Sequence, residues 1–227
     1  MKVLLVDDHA LLRDGIALLM ANEFSELELL QAGTLAEARE AIAQHGDIRL
    51  VLLDLTLPDG NGLAELPWFA EAVPEARLVA LSADETKETV LGAISAGASG
   101  YVPKSVQSGA MLEALRTVLD GGVYLPEAVM DRRAAPRPGS PGWAPKPLSP
   151  EDLGFSPRQA DVLRMLIDGK PNKTISRELE MSESTVKTHL AAIFRKLEAN
   201  SRTQAVVAAA RLGLRLGAEG ALPVRPR

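Results

Sequence analysis

Short apolar runs recur in the first half of the chain, separated by stretches of helical periodicity. Val3–Val6 and Leu50–Leu53 are the clearest; residues 27–30 and 78–81 resemble them, and a weaker run spans residues 100–102. Between them lie helical patterns over residues 11–21, 35–43, 63–72, 86–96 and 111–119. Runs this short and this apolar suit strands buried on both faces, which need helices above and below the sheet. Five strands alternating with five helices therefore predict an α/β domain with a parallel sheet covered on both faces, for which a doubly wound sheet of strand order 2-1-3-4-5 is the expected arrangement although the alternation itself leaves the order open. Thr34 followed by Glu37 marks the start of the second helix as a capping box.

This pattern stops near residue 122. Residues 131–150 are dense in proline, with Gly139, Ser140 and Gly142 among them, and read as a partly extended linker. Trp143 is the large apolar residue within it. Beyond it the periodicity is helical throughout. Ser156-Pro157-Arg158-Gln159 is a capping box with proline at the first helical position, and Gly169 stops that helix after Asp168. Asn172 is expected to cap a short helix through Glu180, and Ser182 a longer one over residues 183–197. Ser201 with Gln204 opens a last helix to about Leu212. The expected division is 1–122 for the α/β domain, 123–153 for the linker, 154–217 for an all-α four-helix domain and 218–227 for a flexible tail.

The net charge of -5 hides two unlike halves. Residues 1–122 hold 8 Lys and Arg against 19 Asp and Glu, whereas the remainder holds 17 against 11. The basic second half suits a polyanionic partner, although unrelated domain surfaces would give the same split. There is no cysteine, which excludes disulfides and thiolate metal sites. Val3–Val6 is too short to cross a membrane and lacks the layout of a signal peptide, so a cytoplasmic location is expected.

In open parallel sheets, functional groups gather at the carboxyl ends of the strands. Asp7 and Asp8 end the first strand, Asp54 the third and Ser82 the fourth; Lys104 follows the fifth. In the expected order those strands are neighbours, so the five residues converge on one rim. Taken singly, Asp7 and Asp8 also read as helix caps and Asp54 as a turn residue before Pro58 and Gly60. Three carboxylates together repel unless cations offset them, and hard oxygen ligands beside one ammonium suit Mg²⁺. His9 is read as a solvent-facing residue at the helix start rather than a ligand.

Val6-Asp7-Asp8-His9, Leu52-Leu53-Asp54-Leu55-Thr56-Leu57-Pro58, Leu81-Ser82-Ala83 and Tyr101-Val102-Pro103-Lys104 together resemble the receiver domain of response regulators, a flavodoxin-like fold. The resemblance implies that Asp54 accepts a phosphoryl group from the phosphohistidine of a sensor histidine kinase. It implies that Asp8, Asp54 and the Thr56 carbonyl ligate Mg²⁺, with Asp7 acting mainly through water. Lys104 would neutralise phosphoryl oxygens, Ser82 would donate to the bound group, and Tyr101 would swing inward as a switch.

Residues 156–212 resemble the LuxR-type helix-turn-helix through Pro157-Arg158-Gln159, Gly169, Asn172-Lys173, Ser184-Thr185-Val186-Lys187-Thr188-His189 and Arg202-Thr203-Gln204-Ala205. The whole chain thus resembles a NarL/FixJ-type regulator. Ser184, Thr185, Lys187 and Thr188 lie in the first turns of the recognition helix, with Lys187 and Thr188 as candidates for base contact in the major groove. Lys173, His189, Arg195, Lys196 and Arg202 are candidates for phosphate contact. Val186, Leu190, Ile193, Phe194 and Leu197 form the expected buried stripe. Ala191, one turn beyond Lys187, offers no hydrogen bond, which leaves a larger share of specificity to DNA shape.

The expected function is a phosphorylation-controlled transcription factor rather than an enzyme. Its expected partners are the histidine kinase, double-stranded promoter DNA and a second copy of itself, with RNA polymerase a further candidate. The last helix is expected to supply a dimer face through Ala205, Val206, Ala209 and Leu212. Three other readings stay open: a phosphorylation-independent DNA binder with a structural receiver, a phosphohydrolase using Asp54, and an interaction module acting without DNA. The phosphohydrolase would need a second carboxylate two residues beyond Asp54, where Thr56 stands.

Overall fold

The computed structural model describes residues 1–24, 27–126, 149–212 and 214. Most of the expected linker, Trp143 included, and the expected tail after residue 217 lie outside the described residues.

The first domain runs β1 (Lys2–Val6), α1 (Ala10–Glu23), β2 (Glu28–Ala32), α2 (Leu35–Gln44), β3 (Ile48–Asp54), β4 (Thr56–Leu57), β5 (Gly60–Asn61), α3 (Gly62–Ala72), β6 (Arg77–Ser82), α4 (Lys87–Ser95), β7 (Gly100–Pro103) and α5 (Ser108–Leu119). Five strands form one parallel sheet in the order β2-β1-β3-β6-β7, which is 2-1-3-4-5 when only its members are counted. Successive side chains of a strand point to opposite faces, and both faces here are apolar. Leu4, Val6, Val51, Leu53 and Ala80 face a core closed by α2, α3 and α4, including Leu66, Phe69, Val90 and Ile94. Val3, Leu5, Leu50, Leu52, Val79 and Leu81 face the other way, onto Ile16 and Met20 of α1 and Leu115 and Val118 of α5. That two-sided burial is why the strands read as unbroken apolar runs.

The two-stranded antiparallel hairpin β4–β5 has no counterpart in the sequence reading. It holds α3 directly under the end of β3: the Gly62 amide donates to the Leu55 carbonyl at 3.0 Å. At the turn, Asp59 accepts from the Leu35 and Ala36 amides at 2.9 and 3.0 Å and so ties the hairpin to the start of α2. Thr34 caps α2 by accepting from Glu37 N, but the Glu37 carboxylate reaches Gly33 N rather than Thr34 N, so the capping box is only half formed.

The second domain opens with a 3₁₀ turn (Glu151–Leu153), then α6 (Pro157–Ile167), α7 (Asn172–Glu178), α8 (Glu183–Lys196) and α9 (Arg202–Arg211). Val162, Leu163, Leu166, Ile175, Val186, Leu190 and Ile193 form its core. Ser156 and Gln159 make the complete reciprocal capping box. Ser156→Ala should therefore cost about 1 kcal/mol. In a domain this small that is a fall of roughly 4–8 °C in its melting temperature, read by circular dichroism. Ser182 caps α8 as expected. Asn172 does not cap α7: Pro171 occupies that position and makes no side-chain cap bond, while the Asn172 amide oxygen accepts from Arg202 at 3.0 Å. The short helix also ends at Glu178, two residues early, and Glu180 takes a left-handed φ of 50°.

The last helix departs from its expected role. Ala205, Val206 and Ala209 are buried in the second domain's own core, and only Leu212, 40% exposed, remains outward. Periodicity correctly marked an apolar face, but that face is satisfied within the chain. Val207 of the same helix joins the first domain's core, and Thr203 donates through its hydroxyl to the Ser99 carbonyl at 2.9 Å. The domains also meet where Gly122 lies against Gly169. A Cβ on Gly122 would sit 2.4 Å from the Gly169 carbonyl oxygen, so only glycine permits this approach.

Candidate functional site

The sheet order brings the carboxyl ends of β1, β3, β6 and β7 side by side, and the expected residues converge there. Asp7, Asp54 and Ser82 are buried, and the Asp8 side chain is 37% exposed. Lys104 spans the centre: its ammonium lies 2.6 Å from Asp54 Oδ2 and 2.7 Å from Asp7 Oδ2. Asp54 Oδ1 accepts from the Thr56 amide at 3.0 Å, and Asp7 Oδ1 from the His9 amide at 2.9 Å. Ligand atoms of Asp7, Asp8, His9 and Asp54 all fall within 4.8 Å of one another. The His9 side chain is 68% exposed at the helix start, as expected, yet its Nδ1 lies 2.6 Å from Asp8 Oδ1.

The electrostatics expose an imbalance. Burial pushes the Asp54 carboxyl above its ordinary value; Lys104 and the Thr56 amide pull it back, and the Asp7 charge pushes it up further. Burial alone would lower the Lys104 pKa, but its bonds to Asp54 and Asp7 outweigh that and raise it. One fixed ammonium thus pairs with two of the three carboxylates, while Asp8 meets the His9 ring. The donor set is oxygen-rich, acidic and half open to solvent, and it fits a hard divalent cation that keeps part of its water.

Around this rim lies a second network that the sequence reading missed. The Ser82 hydroxyl accepts from the Asp84 amide at 3.1 Å. Asp84 in turn accepts from Thr86 N and the Thr89 hydroxyl, at 2.8 and 2.6 Å, and these bonds hold its carboxyl below the usual range. Tyr101 is fully buried, and its hydroxyl donates to the Asp84 carbonyl. The aromatic ring is therefore already turned inward, where the expectation was a movement toward that position. Asp84 two residues after Ser82, with Thr86 two further on, is the side-chain-to-backbone turn pattern that could have signalled this network.

On the second domain, Ser184, Thr185, Lys187 and Thr188 are exposed along the first turns of α8, and Val186, Leu190, Ile193 and Leu197 are buried behind them. Phe194 is partly buried against the same core. Lys173 and Arg195 are also exposed, and His189 is half-buried. Two other expected phosphate contacts have partners inside the domain. Lys196 donates to the Gly154 carbonyl and sits 5.0 Å from the centre of the Phe155 ring. Arg202 donates to the Lys170 carbonyl and to Asn172.

An acid-rich rim on a doubly wound sheet, joined to a small helical domain with a polar, basic recognition helix, defines a two-domain signalling regulator. The family described as "Response regulator receiver domain" matches residues 3–116, and "Bacterial regulatory proteins, luxR family" matches residues 153–209. The chain is 34% identical to the "Glycerol metabolism activator" of Pseudomonas putida over 212 residues, 92% of this chain and 94% of that one. It is 32% identical to the "Nitrate/nitrite response regulator protein NarL" of Escherichia coli K12 over 205 residues, 90% and 93% of the two chains. In fold it is similar to the RcsB response regulator of Salmonella typhimurium, at 18% identity and a TM-score of 0.54, with 91% of this chain and 96% of that chain covered. The chain belongs to the two-component response regulators of NarL/FixJ type, transcription factors with a receiver domain and a LuxR-type DNA-binding domain. Such regulators receive a phosphoryl group from histidine kinases and bind promoter DNA. Among the described residues no helix is long and apolar enough to cross a membrane.

Proposed function

We propose that Asp54 is the phosphoacceptor and that its phosphorylation controls promoter binding by α8 from a cytoplasmic location. One observation carries the reading: Lys104 bridges Asp54 and Asp7 at 2.6 and 2.7 Å on a rim built from four strand ends. An Asp54 carboxylate oxygen attacks the phosphorus of a phosphohistidine, the P–N bond breaks, and the imidazole leaves. Lys104 pairs with the incoming phosphoryl oxygens as its bonds to the free carboxylates give way. Asp7, Asp8, Asp54 and the Thr56 carbonyl would hold Mg²⁺, which when bound supplies most of the neutralising charge. Ser82 turns its hydroxyl from acceptor of the Asp84 amide to donor toward the phosphoryl group. That change draws on the network anchoring Tyr101, a local electrostatic event next to α4 and β7.

In the unphosphorylated chain, α4 and the end of α5 hold the second domain close to the receiver. Phosphorylation shifts the balance toward a form free to dimerise on paired half-sites, for which roughly 5 kcal/mol of differential stabilisation suffices. A receiver over 1–122, a DNA-binding domain over 154–217 that the Glu151–Leu153 turn extends at its start, and RNA polymerase as a further partner belong to the same proposal.

The test compares promoter affinity of wild type and Asp54→Asn, with and without acetyl phosphate and Mg²⁺. The proposal expects tightening in wild type alone; equal affinity in all four would favour a phosphorylation-independent DNA binder. Lys187→Ala tests the DNA half. Loss of a base contact should weaken specific binding by about 1–3 kcal/mol, roughly five- to 150-fold, in a gel-shift titration, with a much smaller effect on non-specific DNA.

A further inference from the structure

At the opposite end of the sheet from the acidic rim, a cavity of about 270 Å³ lies between the two domains. Its receiver wall is Arg77, the first residue of β6, and Gly121 just beyond α5; its other wall comes from Asn172, Arg202 and the Lys187 side of α8. Three of the lining residues are cations and none is acidic. Among the described residues, none of the ion pairs involves Arg77, Lys187 or Arg202.

Arg202 makes the imbalance acute. Its partners, the Asn172 amide oxygen and the Lys170 carbonyl, are neutral, and its Nε is buried with no partner. Burial first, and the charge of Arg77 second, bring its pKa down to about 10. Bringing the domains together thus places an exposed receiver cation beside a mostly buried cation of the DNA-binding domain whose partners are neutral, with no carboxylate paired to either. An uncompensated buried charge is among the most costly features a protein interface can hold. The Arg77 guanidinium fork, the N–H groups of Arg202 left over from its two neutral partners and the Lys187 ammonium form a donor set that suits phosphoryl oxygens.

We infer that this cavity binds a small phosphate-bearing anion, which bridges Arg77 of the receiver to Arg202 and Lys187 of the DNA-binding domain and holds the two together. The cavity has room beyond a single phosphoryl group, so a diphosphate or a compact phosphorylated metabolite is the fitting class. Lys187 faces both this cavity and, under the proposal above, DNA. Anion and promoter therefore exclude one another, and the regulator becomes responsive to a soluble phosphate compound independently of Asp54. The binding claim stands apart from the DNA reading; only its consequence rests on it.

The probe is inorganic pyrophosphate, titrated calorimetrically into the unphosphorylated full-length chain at fixed ionic strength with EDTA present, so that no metal can recruit it to the acidic rim. Saturable 1:1 binding is expected in wild type, at least about tenfold weaker in Arg77→Gln and partly recovered in Arg77→Lys. Arg77 is exposed, so Arg77→Lys should melt with wild type, while Arg77→Gln, which removes the charge set against Arg202, should melt no lower than wild type. A parallel arm at the same ionic strength measures promoter affinity, which pyrophosphate should weaken more in wild type than in Arg77→Gln. Absence of saturable binding, or equal binding in wild type and Arg77→Gln, would overturn the proposal, the latter marking an adventitious ion only. A chain that binds pyrophosphate through Arg77 but ignores DNA would overturn the promoter reading and leave the anion site standing. Orthophosphate and a sugar phosphate, run alongside, separate free phosphate from a metabolite as the natural source.

Discussion

Asp54→Asn is expected to take up no phosphoryl group from acetyl phosphate, while wild type gains one group per chain by intact mass. The amide keeps the size of the carboxylate and can still accept from Thr56 N, but its oxygen is no longer a nucleophile. EDTA should stop uptake in wild type as well, because one ammonium cannot screen three carboxylates and an incoming phosphoryl group. Stability should move the other way. Burial raises the Asp54 carboxyl above its ordinary 3.8 in the fold, so ionising it there costs more than in the unfolded chain. That penalty is absent below the unfolded value and complete above the raised native one. In metal-free buffer at neutral pH, Asp54→Asn should therefore melt no lower than wild type. A variant that still gained the mass of a phosphoryl group would move the acceptor elsewhere.

Gly62→Ala is expected to damage the receiver more than any conservative change on its surface. The added Cβ would meet the Asp54 carbonyl oxygen at 2.1 Å and Leu55 Cα at 2.9 Å, both main-chain atoms that cannot step aside. Overpacking of this kind costs about 3 kcal/mol or more, a large part of a typical domain's stability. The shift would also push on the segment that carries Asp54, so phosphoryl uptake should slow along with a fall in melting temperature of roughly 10 °C. Gly15→Ala is the matched contrast. Gly15 is exposed within α1 with nothing within 4 Å of the new Cβ, and alanine there should stabilise by about 0.5–1 kcal/mol. Equal melting temperatures for the two variants would refute the packing account of Gly62.

The sheet and its rim were readable in the sequence for a shared reason. Strands buried on both faces leave unbroken apolar runs, and the first polar residue after each run sits at the strand end, where Asp7, Asp54 and Ser82 are found. What escaped was set by contacts distant in the chain. The β4–β5 hairpin is two residues a side, too short for any period, and is held by Asp59 reaching across to α2. Asn172 looked like a helix cap, but its amide serves Arg202, thirty positions later in the chain. The apolar stripe of α9 was visible, whereas its destination was not: a hydrophobic period says that a face is covered, never by what. Arg77 carried no local signal at all, since its significance comes only from the domain that packs beside it.

The stretch just after α5 has one more effect. The Tyr124 carbonyl accepts from the Tyr101 amide at 2.9 Å, while its neighbour Val123 is embedded in the DNA-binding domain's core. Adjacent residues thus grip the edge of the sheet on one side and the helical domain on the other, like a short rigid hinge pin. Displacement of β7 would reach the helical domain through this peptide unit as well as through the Thr203–Ser99 bond, so lengthening the proline-rich connector should leave that transmission intact, whereas Val123→Gly should weaken it, read as a smaller gain in promoter affinity on phosphorylation.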